Sequence, residues 1–362
     1  MRKTITILKV FLLLVALGPT QAIVCFAEVS PGDDAYHYSD FRDGKHDANY
    51  IEWWYFNLFD QISDIQIIFH YSIINPDNIL DFGVSGVGAT VFTAGGIISE
   101  MDTFSTDLFY ASEEEPYVRI GKGDINFVEI IDKHTYHIVG CIAGGRIKWD
   151  LMYTQQIDPW FGHHREKVGR WDWEQMSWLV YMPGAHVEGN VVIDGETYIM
   201  DHVSGYHDHN WGEWIPYNVL WNWVQYFEPG IALEVGDFRF RPVGVVSIEA
   251  AGQRTVFEKD EYALFHTKWM FDSENRKRFP VVTWLLAENE KKRLIVRIQA
   301  LATESLMAPL KMPLFLPDVL LYEQTASYFG RLWDKNHQGA WELSAGFEGK
   351  GFKEYSVQIW DD

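Results

Sequence analysis

Between Ile65 and Ile73 every second residue is large and apolar, and this two-residue period recurs along most of the chain. Ile65, Ile67, Phe69, Tyr71 and Ile73 alternate with Gln66, His70 and Ser72, as the two faces of a half-buried strand require. Leu294, Val296, Ile298 and Ala300 alternate with Arg297 and Gln299, and Tyr355, Val357 and Ile359 repeat the pattern near the C-terminus. Asp194-Gly195, between Val191–Ile193 and Thr197–Ile199, predicts a two-residue hairpin, because both turn positions need positive φ. Gly95-Gly96 and Gly144-Gly145 mark two more tight connections. Gly83–Gly88 lacks dinucleotide-binding spacing and reads as a strand with a bulge. Glu304–Gln324 is the best helical stretch, but Pro309, Pro313 and Pro317 interrupt it, so it is expected to be a loop with short turns.

Many short strands with turn signals between them predict an all-β chain of closed or nearly closed antiparallel sheets. A length of 362 residues suits two such barrels packed closely together. Pro216 breaks the strand pattern, which puts the junction near Glu213–Tyr217 and divides the chain into 28–215 and 216–362. Residues 1–27 read as a leader. Arg2, Lys3 and Lys9 flank the apolar run Ile5–Leu17, and small residues follow at Ala22 and Ala27, the pattern of a cleaved secretory signal peptide, with an uncleaved N-terminal membrane anchor as the alternative. The expected destination is secreted or periplasmic. Cleavage at Ala27 leaves Cys141 alone, so no intramolecular disulfide is expected.

A formal net charge of −21 excludes nucleic acid as a partner and disfavours anionic lipid. Peripheral membrane contact stays open. The chain carries 16 Trp, 18 Tyr and 23 Phe, a surplus of flat apolar side chains that points to a pocket for a small hydrophobic molecule. Neither a G-x-S-x-G elbow, a Walker A loop nor an H-E-x-x-H helix is present.

Two segments concentrate chemistry-bearing residues. In Glu52-Trp53-Trp54-Tyr55-Phe56-Asn57, an extended chain sends Glu52, Trp54 and Phe56 one way and Trp53 and Tyr55 the other. Both faces are aromatic, so this strand is expected to be buried on both sides, between a barrel interior and a second layer. Glu52 there needs a partner or a proton. In Tyr206-His207-Asp208-His209-Asn210-Trp211-Gly212, the residues His207, His209 and Trp211 share one face and Tyr206, Asp208 and Asn210 the other. Two imidazoles and a carboxylate in succession predict a functional centre. A metal reading joins His207 and His209 with His202, and with His163-His164 if those are not exposed. It remains an alternative, with no metal expected by the leading reading.

The EWWYFN segment, the Tyr181-Met182-Pro183…Gly189…Asp194-Gly195 hairpin and the YHDHNWG segment resemble the AttH/CrtC family. That family includes carotenoid 1,2-hydratases (hydroxyneurosporene synthases) and exported relatives, and the likeness covers about residues 48–215. The resemblance implies two consecutive lipocalin-like barrels with a site near their junction for an isoprenoid- or polyketide-like molecule. It implies a cofactor-independent hydratase (carbon–oxygen lyase) or cyclase. Alkene hydration begins with protonation by a carboxylic acid kept neutral in an apolar site. Asp208 is the first candidate, with Glu52 and Glu228 behind it. The resulting cation would face Trp54, Trp211 and Tyr226, with Trp53, Tyr55 and Tyr206 completing the pocket. His209 or His207 would orient water and take its proton. The rival reading is a non-enzymatic carrier, which needs the aromatics but not the acid.

Overall fold

The computed structural model describes residues 29–169, 171–213, 220–239, 243–307 and 318–359. These residues form two antiparallel sheets, of twelve and nine strands. In the first, β1 (Tyr50–Asp60), β2 (Ile65–Ile74), β3 (Val84–Thr93) and β4 (Gly96–Phe104) follow one another as a meander. Next come β5 (Phe109–Ala111), β6 (Tyr117–Ile120), β7 (Phe127–Asp132), β8 (Thr135–Ile142) and β9 (Ile147–Gln155). The strands β10 (Trp160–Lys167), β11 (Gln175–Ile193) and β12 (Glu196–Glu213) complete the sheet. Its order is β4-β3-β2-β1-β12-β11-β9-β8-β7-β6-β5, with β10 paired to β11. The sheet curls into a nearly closed barrel, and β12 returns to pair with β1.

The second sheet contains β13 (Leu220–Glu228), β14 (Ile231–Arg239), β15 (Gly244–Ala250), β16 (Gln253–Glu258) and β17 (Tyr262–Asp272). It continues with β18 (Lys277–Glu288), β19 (Lys292–Met307), β20 (Asp318–Lys335) and β21 (Trp341–Ile359). The order is β16-β15-β14-β13-β21-β20-β19-β18-β17, a half-barrel. The all-β, two-barrel architecture expected from the period-2 pattern, in the lipocalin-like form that the resemblance implies, is therefore the architecture observed.

Local expectations fare unevenly. Asp194 and Gly195 both turn at positive φ, 50° and 85°, and join β11 to β12 as the hairpin signal requires. Gly83–Gly88 differs: β3 pairs with β2 and β4 in unbroken register, so there is no bulge. Glu304–Gln324 also differs, since β19 runs on to Met307 and β20 starts at Asp318. Proline forbids helix but tolerates strand ends, so sheet pairing outside the prolines wins. The leader at 1–27 lies outside the described residues, as does all of the proposed junction beyond Glu213.

Strand β1 is sealed on both sides. Glu52, Trp54, Phe56 and Leu58 are fully buried in the barrel interior, while Tyr55 packs with Trp178, Tyr206, Trp223 and Phe352 between the sheets. Polar seams hold the two sheets in place. Asn57 Nδ2 donates to Gln225 Oε1 at 3.3 Å, and Gln66 Nε2 donates to the Gly351 carbonyl at 3.2 Å.

Candidate functional site

The YHDHNWG segment lies in β12, opposite EWWYFN in β1, with Glu52 registered against Trp211 and Trp54 against His209. Alternation sends its polar residues to two different places, and two separate centres result.

The first centre is inside the barrel. His207 Nε2 lies 2.9 Å from Asp34 Oδ2 and its Nδ1 lies 2.9 Å from the Tyr55 carbonyl. His209 Nε2 lies 2.8 Å from Glu52 Oε1. Its Nδ1 is 3.0 Å from Asp34 Oδ1, close enough for an ion pair but not aligned as a hydrogen bond. Tyr136 donates its hydroxyl to Asp34 at 2.6 Å, and Tyr50 donates to Glu52. Asp34, Glu52, His207 and His209 are all sealed from solvent. Burial alone would push the Asp34 carboxyl up, but His207 and His209 hold it well below the usual carboxylate range. Burial opposes charge on His209 too, yet Asp34 and Glu52 lift it to about 9. The His209 ring stacks on Trp54 at 4.6 Å and meets Trp211 at 4.7 Å, so the cation faces two indoles. Phe56 stacks on His207 at 4.0 Å.

Asp34 belongs to a short 3₁₀ turn, Pro31–Asp34, that carries the N-terminal segment into the barrel. The His37 backbone N–H donates to Glu52, and Trp54 Nε1 donates to the Asp34 carbonyl. This centre is thus a buried plug of two carboxylates and two imidazoles. A site for a metal fits it poorly, because both nitrogens of each ring already face oxygen atoms. His202 is exposed and pairs with Glu188 at 3.3 Å, far along the hairpin from this cluster. His164 is exposed, whereas His163 is only partly so, with both ring nitrogens buried between the sheets near Trp178 and Phe238.

The second centre lies between the sheets, on the opposite face of β12. Asp208 Oδ2 accepts from Trp178 Nε1 at 2.9 Å and from the Tyr206 hydroxyl at 2.7 Å. Burial pushes its carboxyl up to about 6, against the pull of those two donors. The sheet itself separates Asp208 from His207 and His209, so the expectation of one acid beside two imidazoles is corrected. Consecutive strand residues cannot share a face. Asp208 lines a cavity of about 60 Å³ with Trp53, Tyr55, Trp221 and Glu354. These last four also line a neighbouring cavity of about 260 Å³, which Ile51, Ile74, Met101, Leu306 and Leu321 make apolar.

Glu354, Glu323, His70 and Glu100, the titratable residues of the larger cavity besides Tyr55, were not foreseen. The Glu354 carboxyl, which accepts from Trp221 Nε1 at 3.0 Å, is pushed up to about 8 by burial and by Glu323 nearby. Glu323 Oε1 lies 2.8 Å from His70 Nε2, while its Oε2 is buried with no hydrogen-bond partner among the described residues. Burial pulls His70 down, but the bond to Glu323 outweighs it and raises the imidazole. Of the pocket residues expected from sequence, Trp53 and Tyr55 line this cavity, and Tyr206 supports Asp208 beside it. Trp54 and Trp211 belong to the plug. Tyr226 is core of the second barrel, packed on Tyr328 and Phe347, and Glu228 ends its strand apart from both centres.

Gly212 has a purely steric task. Its φ is +148°, and an added Cβ would sit 2.1 Å from the Gln175 carbonyl oxygen. Glycine alone lets β12 pass that close to β11.

Fold and site together define a two-barrel, lipocalin-like protein with an acid-lined apolar cavity between its halves. No family model and no curated protein matches the chain. Solved structures do. A provisionally assigned AttH from Nitrosomonas europaea is similar at TM-score 0.62 and 16% identity, over 91% of this chain and 98% of that one. Kievitone hydratase from Nectria haematococca is similar at TM-score 0.55 and 14% identity, covering 84% and 88%. CghA bound to Sch210972 is similar at TM-score 0.57 and 10% identity, covering 86% and 89%. The chain has the AttH-type fold, the one that its EWWYFN and YHDHNWG segments resemble.

Proposed function

We propose that this protein binds a lipophilic, alkene-bearing molecule of isoprenoid or polyketide type between its sheets, and hydrates or cyclises it by proton transfer without an organic cofactor. The observation that carries this reading is a neutral carboxylic acid, Glu354, set in an apolar cavity of about 260 Å³. That volume is near the lower end of the roughly 300–1,000 Å³ of ligand pockets. Burial keeps the proton on Glu354 at neutral pH, where an exposed glutamate has lost it. Transfer of that proton to an alkene carbon leaves Glu354 as carboxylate and a tertiary carbocation facing Trp53 and Trp221. Water then adds to the cation, and the unpartnered Glu323 Oε2 accepts the proton it releases. In a cyclisation, a second alkene of the same molecule attacks instead, and the closing proton goes to the same carboxylate. Asp208 sits one cavity away as a further acid. The hydratase named among the similar structures agrees with this chemistry, and the leader at 1–27 supports export.

The test starts with mass spectrometry of lipophiles that co-purify with the full chain. Incubated with that molecule, wild-type protein should give a product one water heavier, or an isomer. Glu354→Gln should keep binding and lose at least about 10²-fold in turnover. Binding without conversion by either protein would replace the enzyme with a carrier.

A further inference from the structure

A third polar cluster lies at one end of the first barrel, away from both centres. Asp43, His46 and Glu213 each offer one ligand atom, and these atoms lie within 4.8 Å of one another. They open onto a surface cavity of about 330 Å³. Glu213, the last residue of β12, is 7% exposed, and its Oε1 is buried with no hydrogen-bond partner among the described residues. A buried carboxylate oxygen left without a donor is costly, and a bound cation satisfies it.

Acidic groups outweigh the two arginines, Arg42 and Arg165, that line the same cavity. Asp47, also buried, stands beside the cluster, and burial together with Asp43 and Asp47 pushes the Glu213 carboxyl up to about 7. Arg165 partly offsets this push, but the hydrogen bonds and ion pairs of both arginines go to other residues. Arg42 pairs with Asp77 at 2.6 Å, and Arg165 lies over the Phe41 ring and donates to Gln175. The loop that carries the other two ligands is already ordered, with Asp43 Oδ2 2.8 Å from His46 Nδ1, which leaves the other ring nitrogen of His46 for an ion. Asp47 Oδ1 takes the backbone N–H groups of Asp43 and Gly44, both at 2.9 Å, and His46 stacks on Trp173 at 4.7 Å.

We propose that Asp43, His46 and Glu213 bind a divalent first-row transition-metal ion, of the Zn²⁺ or Mn²⁺ kind, at the end of the barrel. One imidazole with two carboxylates is a nitrogen–oxygen donor set that suits these ions, whereas Ca²⁺ takes oxygen alone. Three protein ligands leave a coordination position facing the cavity. The ion would join the loop that follows the Asp34 segment to the end of β12, which fixes the plug from outside. The exposed group Glu188, Asp201 and His202 has no such buried, unpartnered atom and serves as the control.

The experiment titrates chelator-treated full-length protein with ZnCl₂ by calorimetry, and follows thermal unfolding with and without the ion. Wild type and Glu188→Gln should each bind one equivalent and unfold at higher temperature with it. Glu213→Gln and His46→Ala should bind more weakly by at least the roughly 10–100-fold that loss of an outer-shell partner brings. His46→Ala should unfold near the wild-type temperature when metal is absent, which separates lost binding from lost folding. Absence of stoichiometric binding, unchanged affinity in both site variants, or a preference for CaCl₂ would each overturn the assignment.

Discussion

Replacement of Asp34 by Asn tests whether the plug stabilises the first barrel through charge. The substitution keeps the side chain's shape but removes the negative charge that faces both imidazoles. His209 is lifted from 6.5 to about 9 by Asp34 and Glu52 together. At about 1.36 kcal/mol per unit, that lift corresponds to ~3 kcal/mol of preference for the charged ring, of which Asp34 supplies part. Breaking a buried pair by removing one partner costs roughly 3–5 kcal/mol. A loss of ~3 kcal/mol is therefore expected, read from urea unfolding followed by tryptophan fluorescence. The pH dependence carries the stronger test. A histidine whose folded value is raised stabilises fully below its unfolded value, so this contribution fades as pH rises from 6.5 through about 9. Asp34 is held below its ordinary 3.8, so its contribution is present above that value and fades as pH falls beneath it. The gap between wild type and Asp34→Asn should be widest between pH 3.8 and 6.5 and narrow on both sides. A gap under about 1 kcal/mol in that window, or one indifferent to pH, would show that the network works by shape alone.

Two further outcomes follow from geometry. If Glu354 is the proton donor, the rate of the chemical step should fall above about pH 8, where that acid ionises; a steady-state profile still rising there would assign the donor elsewhere. Gly212→Ala should destabilise by roughly 2–4 kcal/mol, since it combines a positive-φ penalty with a clash on the Gln175 carbonyl. Calorimetric unfolding within about 1 kcal/mol of wild type would mean that β12 can shift to make room.

The alternation that predicted β1, β2 and β12 depends only on which residues share a face, and the sheet enforces it. Sequence therefore placed Glu52 with Trp54 and Phe56, and His207 with His209 and Trp211. It did not say what stood opposite. Asp34 escaped notice because Pro31–Asp34 is a lone turn without periodicity, and only the closed barrel brings it to the histidines. Glu323 and Glu354 escaped for another reason. They occupy the polar positions of alternating strands, which usually face water, but here a second sheet covers that face. Trp54 and Trp211 were expected to line the pocket and instead enclose an imidazole, because an aromatic residue does not reveal which of two apolar layers it serves.

Strand β1 has no face left over for solvent, and this constrains how such a protein can diversify. Any change at Trp53 or Tyr55 that reshapes the cavity rides on a backbone whose reverse side holds Glu52 against His209. Adaptation from that wall risks the barrel. The opposite wall is freer, since Trp221, Leu306, Leu321 and Glu354 come from the second sheet and have no part in the plug. New ligand preferences in proteins of this build should accumulate on the second half of the chain, while the first half keeps its motifs.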